Sequence, residues 1–162
     1  MEQTKQKSKT YHLDTIGKVH RDKHGMYLQI DEPYRPALEG LDGFSHAQVL
    51  WWFDKSDDEA SRSTTKFNPP FDAPILGVFA LKAPTRPNPI GLSTVRIVSV
   101  DMASGIVMIP RIDAFDGTPL LDIKPYLPSF DRVDNTRVPN WAAHWPDSMP
   151  EDGISLDPGP NQ

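Results

Sequence analysis

Prolines and glycines divide the apolar residues of this chain into short runs, and this division most limits what the chain can fold into. The 162 residues include 17 prolines and 10 glycines, and no segment keeps a helical pattern of apolar residues for long. Proline interrupts helices, whereas short strands fit between such breaks. Six or seven short strands are predicted. The sequence therefore favours an all-β barrel or sandwich with long loops and short or no helices.

The predicted strands are apolar or alternating segments that end at turn residues. Segments 11–19 and 26–30 form a predicted hairpin around a turn at 22–25. Segment 44–53 is rich in aromatic and β-branched residues, which predicts a strand buried on both faces. Residues 54–74 are hydrophilic and then proline-rich, so we expect a long loop there. The remaining predicted strands are 77–82, 92–100, 106–112 and 120–123.

Length and charge indicate one domain with two tails. A chain of this length usually forms a single domain, which we expect at residues 11–140. Residues 1–10 are polar and aperiodic and are predicted to be a disordered arm. Residues 141–162 are acidic and proline-rich, which predicts a poorly packed tail. The formal net charge is −5, whereas a free-standing nucleic-acid-binding domain is usually basic.

The sequence lacks cysteines, long apolar segments and common catalytic motifs, and each absence disfavours a class of site or a cellular location. It has no cysteine, which excludes disulfides, thiolate metal sites and a cysteine nucleophile. The N-terminus has no apolar signal region, and no apolar run is long enough to span a membrane, so we expect a cytoplasmic protein. The sequence has none of the common zinc, dinucleotide, P-loop or hydrolase motifs. We therefore expect no metal site.

A proline-rich segment at residues 83–91 stands out between two apolar runs. It reads Ala-Pro-Thr-Arg-Pro-Asn-Pro-Ile-Gly. Proline fixes its own backbone and restricts the residue before it, so Arg86 and Asn88 are expected to point in set directions. Gly91 would allow a sharp or positive-φ exit into the next strand. Two interpretations remain open, namely a preorganised ligand-binding loop and a stiff connector whose polar groups face water.

A second notable segment contains Asp122 between apolar neighbours, with Lys124 and Tyr126 on the same side of a predicted strand. A carboxylate in such a place needs a cationic or hydrogen-bonding partner. Lys124 could satisfy it as a structural ion pair, or Asp122 could serve a pocket, and the residues alone favour neither. His46, inside an apolar run, is similarly either a hydrogen-bonded rim histidine or a ligand-binding or basic group.

Several of these motifs together resemble the TsaA-like (TrmO/VirR) family. The matching segments are Gly-Val-Phe-Ala at 77–80, Arg-Pro-Asn-Pro-Ile-Gly-Leu-Ser at 86–93, and Asp-Gly-Thr-Pro at 116–119 with Asp-Ile-Lys-Pro-Tyr-Leu-Pro at 122–128. Leu41 and the Phe-Ser-His of 44–46 also match. The resemblance covers roughly residues 12–130 in the right order.

The resemblance implies a single-sheeted β-barrel that binds S-adenosylmethionine and usually dimerises. Family members of known activity methylate N6 of threonylcarbamoyladenosine at position 37 of tRNA, so tRNA is the implied substrate and a homodimer the implied assembly. We add Arg86 as a partner for the cofactor carboxylate, because the neighbouring prolines are expected to fix the direction of its side chain. Asp122 and Tyr126 are the catalytic groups that we predict. The cofactor contacts implied by the matching motifs are Lys82, Leu92, Leu120, Leu121, Asp122 and Ile123, with Asp54 and Lys55.

Two other functions are compatible with the same resemblance. Lys82 stands where the family motif usually has arginine, and lysine lacks the two-pronged hydrogen bonding of a guanidinium. A barrel that binds S-adenosylmethionine without methyl transfer, as a sensor or partner-binding protein, is therefore one alternative. The acidic net charge makes a small-molecule methyltransferase the other.

Overall fold

The computed structural model describes residues 9–151 and 153, which form mostly antiparallel β-structure. A main sheet has seven strands, and two short strands pair separately. In chain order the strands are β1 (Gly17–Asp22), β2 (Gly25–Ile30), β3 (His46–Trp52), β4 (Lys66–Phe67), β5 (Leu76–Gly77), β6 (Ile90–Arg96), β7 (Ser99–Asp101), β8 (Ile106–Ile109) and β9 (Pro119–Pro125). The order in the main sheet is β6-β3-β9-β1-β2-β8-β7, and β4 pairs with β5.

The helices are short, as predicted. The two α-helices are α1 (Glu59–Ser63) and α2 (Pro128–Asp131). The 3-10 helices are Glu32–Leu38, Leu41–Gly43, Asp54–Ser56, Val78–Ala80 and Asn140–Ala142. No helix in the described part of the chain has the length and apolar character needed to cross a membrane. The prediction of an all-β fold with short helices is therefore confirmed.

The core lies on one face of the main sheet. Side chains alternate between the two faces of a strand, so every second residue points inward. The inward side chains are almost fully buried, among them Val19, Leu28, Val49, Trp51, Val95, Val107 and Leu120. The residues that alternate with these on β6, β3 and β9 form what we call the outer face, and they remain partly accessible to solvent.

β3 is buried on one face only, so the prediction that both of its faces are buried is wrong. Ala47, Val49 and Trp51 are buried, whereas the residues between them are half-buried. β3 lies between β6 and β9 in an antiparallel arrangement, and only its inner face packs on the core. The aromatic content of the segment gave no sign of this alternation.

The main sheet has two edge strands, β6 and β7, so the predicted closed barrel is not confirmed. These edges are nevertheless consecutive along the chain. The Ile97 N–H donates to the Ser45 carbonyl at 2.8 Å, and the Val98 N–H donates to the Met108 carbonyl at 2.8 Å. Two residues thus carry the chain from beside β3 to beside β8, and the predicted single strand at 92–100 is two strands.

Two strand boundaries differ from the prediction because a strand needs a partner. The predicted strand at 77–82 is wrong, since β5 ends at Gly77 and the 3-10 helix Val78–Ala80 follows. Its partner β4 is only two residues long, so the ladder cannot continue. The first predicted strand begins too early, since β1 starts at Gly17 and pairs with β9 only through Leu120 and Pro119.

The predicted long loop at 54–74 contains short ordered elements. Asp58 caps α1, because its Oδ1 accepts a hydrogen bond from the Ser61 N–H at 2.8 Å. The preceding Asp57 accepts hydrogen bonds from the Trp52 indole at 3.0 Å and from Arg62 at 2.9 Å. These two hydrogen bonds lower the pKa of Asp57, and the bond from Trp52 has the larger effect. The segment is thereby held against the end of β3.

Part of the predicted C-terminal tail packs on this loop. Trp141 stacks on Phe71 with ring centres 5.8 Å apart, and Trp145 meets the same ring edge-on at 5.2 Å. The predicted disordered arm lies outside the described residues apart from 9 and 10, as do 152 and 154–162 of the tail. The domain limits therefore stay a prediction.

Gly91 is a glycine because Trp51 occupies the space where a side chain would lie. Gly91 is opposite Trp51 in the β3–β6 register, and its φ is not positive, so the predicted conformational role is wrong. A Cβ atom at this position would overlap the indole ring of Trp51. That ring is buried in the core, and its Nε1–H donates to Ser93 Oγ at 3.0 Å.

We expect Gly91→Ala to destabilise the protein by about 1–3 kcal/mol, because the buried indole must move to accept one extra methyl group. Thermal unfolding should show a midpoint lower by roughly 2–4 °C per kcal/mol. Gly43→Ala is the matched control, since a Cβ there meets nothing within 4 Å. Equal midpoints for the two variants would show that Trp51 does not require this glycine.

Candidate functional site

The proline-rich segment and the end of β3 meet at one end of the main sheet. The Phe53 N–H donates to the Pro89 carbonyl at 2.8 Å, which holds residues 83–91 beside the end of β3. The predicted ligand residues Asp54 and Lys55 follow directly and are exposed. Two segments predicted separately are thus brought together, and we call this region the proline-loop end.

Arg86 holds the proline loop in shape from within. Its Nη1 donates to the Leu81 carbonyl at 2.9 Å and to the Ala83 carbonyl at 3.3 Å, and the side chain is partly buried. The interpretation in which the polar groups of the loop simply face water is therefore wrong for Arg86. Lys82 and Asn88 are exposed. Lys82 has no ion-pair partner within the described residues, which leaves a cation at the surface of the loop.

Residues that the sequence did not single out complete the proline-loop end. Lys55 Nζ lies 4.2 Å from the centre of the Phe115 ring, which is 61% exposed. Arg21 anchors the loop that carries Phe115, since its N–H donates to Asp116 Oδ1 at 2.9 Å and its Nη1 to the Ala114 carbonyl at 3.3 Å. The Asp-Gly-Thr-Pro motif indicated a turn at 116–119. The contacts themselves could not be predicted, because they join residues far apart in sequence.

His20 of the first hairpin lies close to the same loop. His20 Nδ1 is 3.6 Å from Asp116 Oδ1, and the His20 ring stacks on Tyr27 at 5.1 Å. Tyr27 in turn donates to Asp22 at 3.4 Å. Across residues 9–151 and 153, no three His, Asp or Glu side chains come together in a group that could hold a metal ion.

Leu92, Leu50 and Asp122 form a strip across the outer face. They are opposite one another in the registers of β6 with β3 and of β3 with β9. Neighbouring strands are about 5 Å apart, so Leu92 and Asp122 are roughly 10 Å apart across the sheet. Leu92 is 48% exposed, and Asp122 is half-buried. Two of the predicted ligand residues thus share one surface next to the proline-loop end.

Leu120 and Ile123 of the predicted run 120–123 do not lie on this surface. Leu120 is fully buried in the core, so only its main chain could touch a ligand. The β3–β9 register shifts between Leu120 and Asp122, which leaves Leu121 at a bulge. Ile123 packs against the core. The sequence pattern could not show the bulge, which turns neighbouring residues to different sides.

Both carboxylate oxygens of Asp122 have partners. Oδ2 lies 2.7 Å from Lys124 Nζ, and Oδ1 accepts the Ile123 N–H at 2.9 Å. The structural ion pair that the sequence left open is therefore formed. The hydrogen bond to Asp122, followed by its charge, raises the pKa of Lys124. Both side chains are substantially exposed, so the pair orients the carboxylate more than it stabilises the fold.

Tyr126 lies away from Asp122, toward the beginning of β3. Its N–H donates to the His46 carbonyl at 2.9 Å, and four residues of strand separate it from Asp122, roughly 13 Å. Tyr126, His46 and Thr94 line a cavity of about 290 Å³ together with Met149. The Ser45 Oγ lies 2.8 Å from His46 Nδ1. The structure thus does not bring the two predicted catalytic residues together.

Comparison with known families and proteins gives consistent matches. Residues 16–132 match the family described as the tRNA-methyltransferase O N-terminal domain. A probable S-adenosyl-L-methionine-binding protein of Methanocaldococcus jannaschii is 37% identical over 123 residues, which cover 75% of this chain and 96% of that protein. A tRNA (adenine(37)-N6)-methyltransferase of Mus musculus is 38% identical over 105 residues, which cover 64% of this chain and 23% of the mouse protein.

Similarity extends to VirR and to a solved structure. The probable S-adenosyl-L-methionine-binding protein VirR of Rhizobium radiobacter is 44% identical over 99 residues, 60% of this chain. The match spans about half of VirR, 53% of its length. A crystal structure of TrmO superposes with a TM-score of 0.63 at 33% identity, covering 80% of this chain and 64% of the TrmO chain.

We expect Asp122→Asn to lower the pKa of Lys124 toward its ordinary value of about 10.5, because the negative partner is removed. Because the pKa of Lys124 is raised in the folded state, the ion pair stabilises the fold at pH values below the ordinary lysine pKa. This stabilisation is lost as the pH rises through the pKa of Lys124 in the folded state. An NMR titration of the lysine side chains measures the shift. Asp134→Asn, which removes a partner of Arg132 instead, should leave Lys124 unchanged. An unchanged Lys124 in Asp122→Asn would show that the ion pair is not formed in solution.

Proposed function

The chain belongs to the family of the tRNA-methyltransferase O N-terminal domain, and we propose that it is an S-adenosylmethionine-dependent methyltransferase. The match over residues 16–132 is the observation that carries this proposal. For the substrate we propose N6 of threonylcarbamoyladenosine at position 37 of tRNA, and similarity to the mouse tRNA (adenine(37)-N6)-methyltransferase supports the position. Similarity to the probable S-adenosyl-L-methionine-binding proteins of Methanocaldococcus and Rhizobium supports the cofactor.

The groups at the proline-loop end fit the chemistry of S-adenosylmethionine. The molecule has a carboxylate, an ammonium, a sulfonium and an adenine ring. Exposed Lys82 and Lys55 can bind the carboxylate, and Asp54 can bind the ammonium. The Thr85 Oγ1 atom is buried in the proline loop and has no hydrogen-bond partner within the described residues. A buried hydroxyl of this kind is satisfied when a ligand supplies its partner.

Arg86 has a more indirect part in this proposal than the sequence indicated. Its guanidinium already binds two carbonyls of the loop, so it positions Lys82 and Thr85 before a ligand arrives. A loop held in its binding conformation loses little entropy on binding. We therefore propose Arg86 as a positioning residue whose remaining N–H groups can also reach the cofactor carboxylate.

The outer-face strip supplies the surface on which the reaction would take place. S-adenosylmethionine supplies an electrophilic methyl group, so the protein chiefly has to align the acceptor nitrogen and exclude water. Leu92 and Leu50 offer an apolar surface for this purpose. Asp122 is oriented by Lys124 and the Ile123 N–H, and its free lone pairs can accept the proton that the methylated amine releases.

We also propose that the sheet closes as a single-sheeted barrel and that two copies associate in the cytoplasm. β6 and β7 are the two edges of the sheet, and the chain passes from one to the other within two residues, which supports closure. Phe79 and Phe130 are each 83% exposed, and their rings are apolar surface that a second copy could cover. The long span between Asp122 and Tyr126 is compatible with a substrate that touches each residue at a different part of its structure.

An S-adenosylmethionine-binding protein without methyl transfer is the second candidate, and the state of Asp122 favours it. Both oxygens of this carboxylate already have partners, as they would in a purely structural pair. A small-molecule methyltransferase is a further alternative, because the net charge of −5 gives no general attraction for RNA.

We expect Lys82→Ala to weaken S-adenosylmethionine binding about tenfold, because a charge-assisted hydrogen bond to the cofactor carboxylate is lost. Isothermal titration calorimetry measures the affinity. Lys18→Ala is the matched control, since Lys18 is exposed on β1, which β9 separates from β3 and the proline loop. Equal affinities for the two variants would remove Lys82 from the proposed site.

We expect S-adenosylhomocysteine release to require tRNA that contains threonylcarbamoyladenosine, whereas tRNA lacking this modification should give background rates. Mass spectrometry of the digested tRNA should show one added methyl group on that nucleoside. Cofactor binding without turnover on either tRNA would support the non-catalytic candidate. Turnover with free nucleosides alone would support the small-molecule candidate.

A further inference from the structure

A cavity of about 340 Å³ lies between β9 and the two 3-10 helices that precede β3. Ile16, Leu38 and Phe44 are among its apolar walls. Pro125 also lines it and is opposite Ala47, so the cavity extends toward the beginning of β3. Ile123 and Asp122 line it as well, opposite Val49 and Leu50, so the cavity runs along β9 as far as the outer-face strip. No residue of the proline loop lines the cavity, which borders the outer-face strip at Asp122.

The outer wall of the cavity is fixed to the sheet by hydrogen bonds. Arg35 donates from Nη1 to the Ala103 carbonyl at 2.9 Å and packs so closely on Gly105 that a Cβ there would overlap it. The Asp31 N–H donates to the Ile16 carbonyl at 2.9 Å. These contacts hold the 3-10 helix Glu32–Leu38 in place, so the cavity is a formed part of the fold. Cavities of about 300–1,000 Å³ commonly hold small ligands.

The inner wall of the cavity is the part of β9 that β1 leaves unpaired. β1 pairs with β9 only through Pro119 and Leu120. An open strand edge usually invites another strand. Here, however, the Ile123 N–H already donates to Asp122 Oδ1, and Pro125 has no N–H to offer. A peptide strand would find no donor on these lining residues, so a compact molecule fits this wall better.

The charges of the lining residues select the kind of molecule. Glu39 and Asp122 are the ionisable acids that line the cavity, and within the described residues no Lys, Arg or His lines it. Asp122 is compensated by Lys124, whereas Glu39 has no ion-pair partner in the described part of the chain. Tyr34 and Phe44 add aromatic rings that attract cations. An anion would meet uncompensated negative charge here, and a cation would meet a partner.

We propose that this cavity is a second ligand site, which takes a small organic cation with an apolar or aromatic body. The body packs against the apolar walls, and the ammonium pairs with Glu39 at the mouth. The site shares no residue with the proline loop, although Asp122 lies between it and the proposed site of methyl transfer.

Three indole probes of similar size and different charge test this site on the full chain. They are tryptamine, which is cationic, tryptophol, which is neutral, and indole-3-propionate, which is anionic. NMR titration should show saturable shifts at the amides of Gly40, Leu41 and Ile123, which line the cavity. We expect tryptamine to bind about two- to fivefold more tightly than tryptophol, as a partly exposed ion pair would produce, and indole-3-propionate to bind most weakly.

Variants separate the contribution of charge from that of shape. Glu39→Gln should remove the preference for tryptamine while leaving tryptophol binding unchanged. Glu32→Gln is the matched control, since Glu32 begins the same 3-10 helix but does not line the cavity. Ala37→Trp, at an exposed lining position, should block all three probes without disturbing the core. An unchanged unfolding midpoint for each variant confirms that the fold is intact.

Several results would overturn the proposal. These are the absence of saturable shifts with any probe, shifts confined to the proline-loop end, or tighter binding of indole-3-propionate than of tryptamine. A preference for tryptamine that survives Glu39→Gln would equally exclude the proposed pairing with that carboxylate.

Discussion

The alternation of β3 between a buried and an open face is the constraint on which both the core and the candidate site depend. Val49 and Trp51 point into the core, and Trp51 needs the empty space at Gly91 to do so. The same alternation turns Leu50 outward, between Leu92 and Asp122. A shift of one residue in this register would exchange the two faces. The packing of one indole on one glycine therefore also fixes where the outer-face strip lies.

The proline-loop end combines two sources of rigidity. Prolines restrict the backbone of residues 83–91, and Arg86 ties the loop together through the Leu81 and Ala83 carbonyls. The hydrogen bond from Phe53 to Pro89 then attaches the loop to β3. Lys82 is consequently presented by a fixed backbone, while its own side chain remains free to move in solvent. A mobile ammonium group on a rigid backbone can bind a charged group of a ligand from more than one direction.

Local features of the fold could be predicted from the sequence, whereas features that depend on a partner could not. The first hairpin and the segment of β9 follow from alternation and turn residues close by in sequence. β5 ends where its short partner β4 ends, and the length of β4 cannot be predicted from the sequence of segment 77–82. The motif at 116–119 was visible, but its tie to Arg21 joins residues 95 positions apart.

The candidate site shows the same division. The resemblance pointed to Asp122, and the ion pair with Lys124 was one of two interpretations that the spacing left open. The bulge beside Leu121 could not, because it arises from the mismatch between β3 and β9. Phe115 was missed because an exposed aromatic residue next to a turn has no distinctive local pattern, and its role depends on Lys55 in the distant 3-10 helix Asp54–Ser56.

The positions of Asp122 and Tyr126 limit how the two predicted catalytic groups can act. A proton acceptor has to lie within about 3 Å of the group that it deprotonates. The two side chains are on the same face of one extended segment but roughly 13 Å apart, so within a single chain they cannot serve the same reacting atom. Asp122 shares its strip with Leu92, next to the proposed cofactor residues, whereas Tyr126 lies with His46 and Thr94. If the cofactor binds at the proline-loop end, Asp122 is the group that can reach the methylated nitrogen, and Tyr126 must contact a more distant part of the substrate.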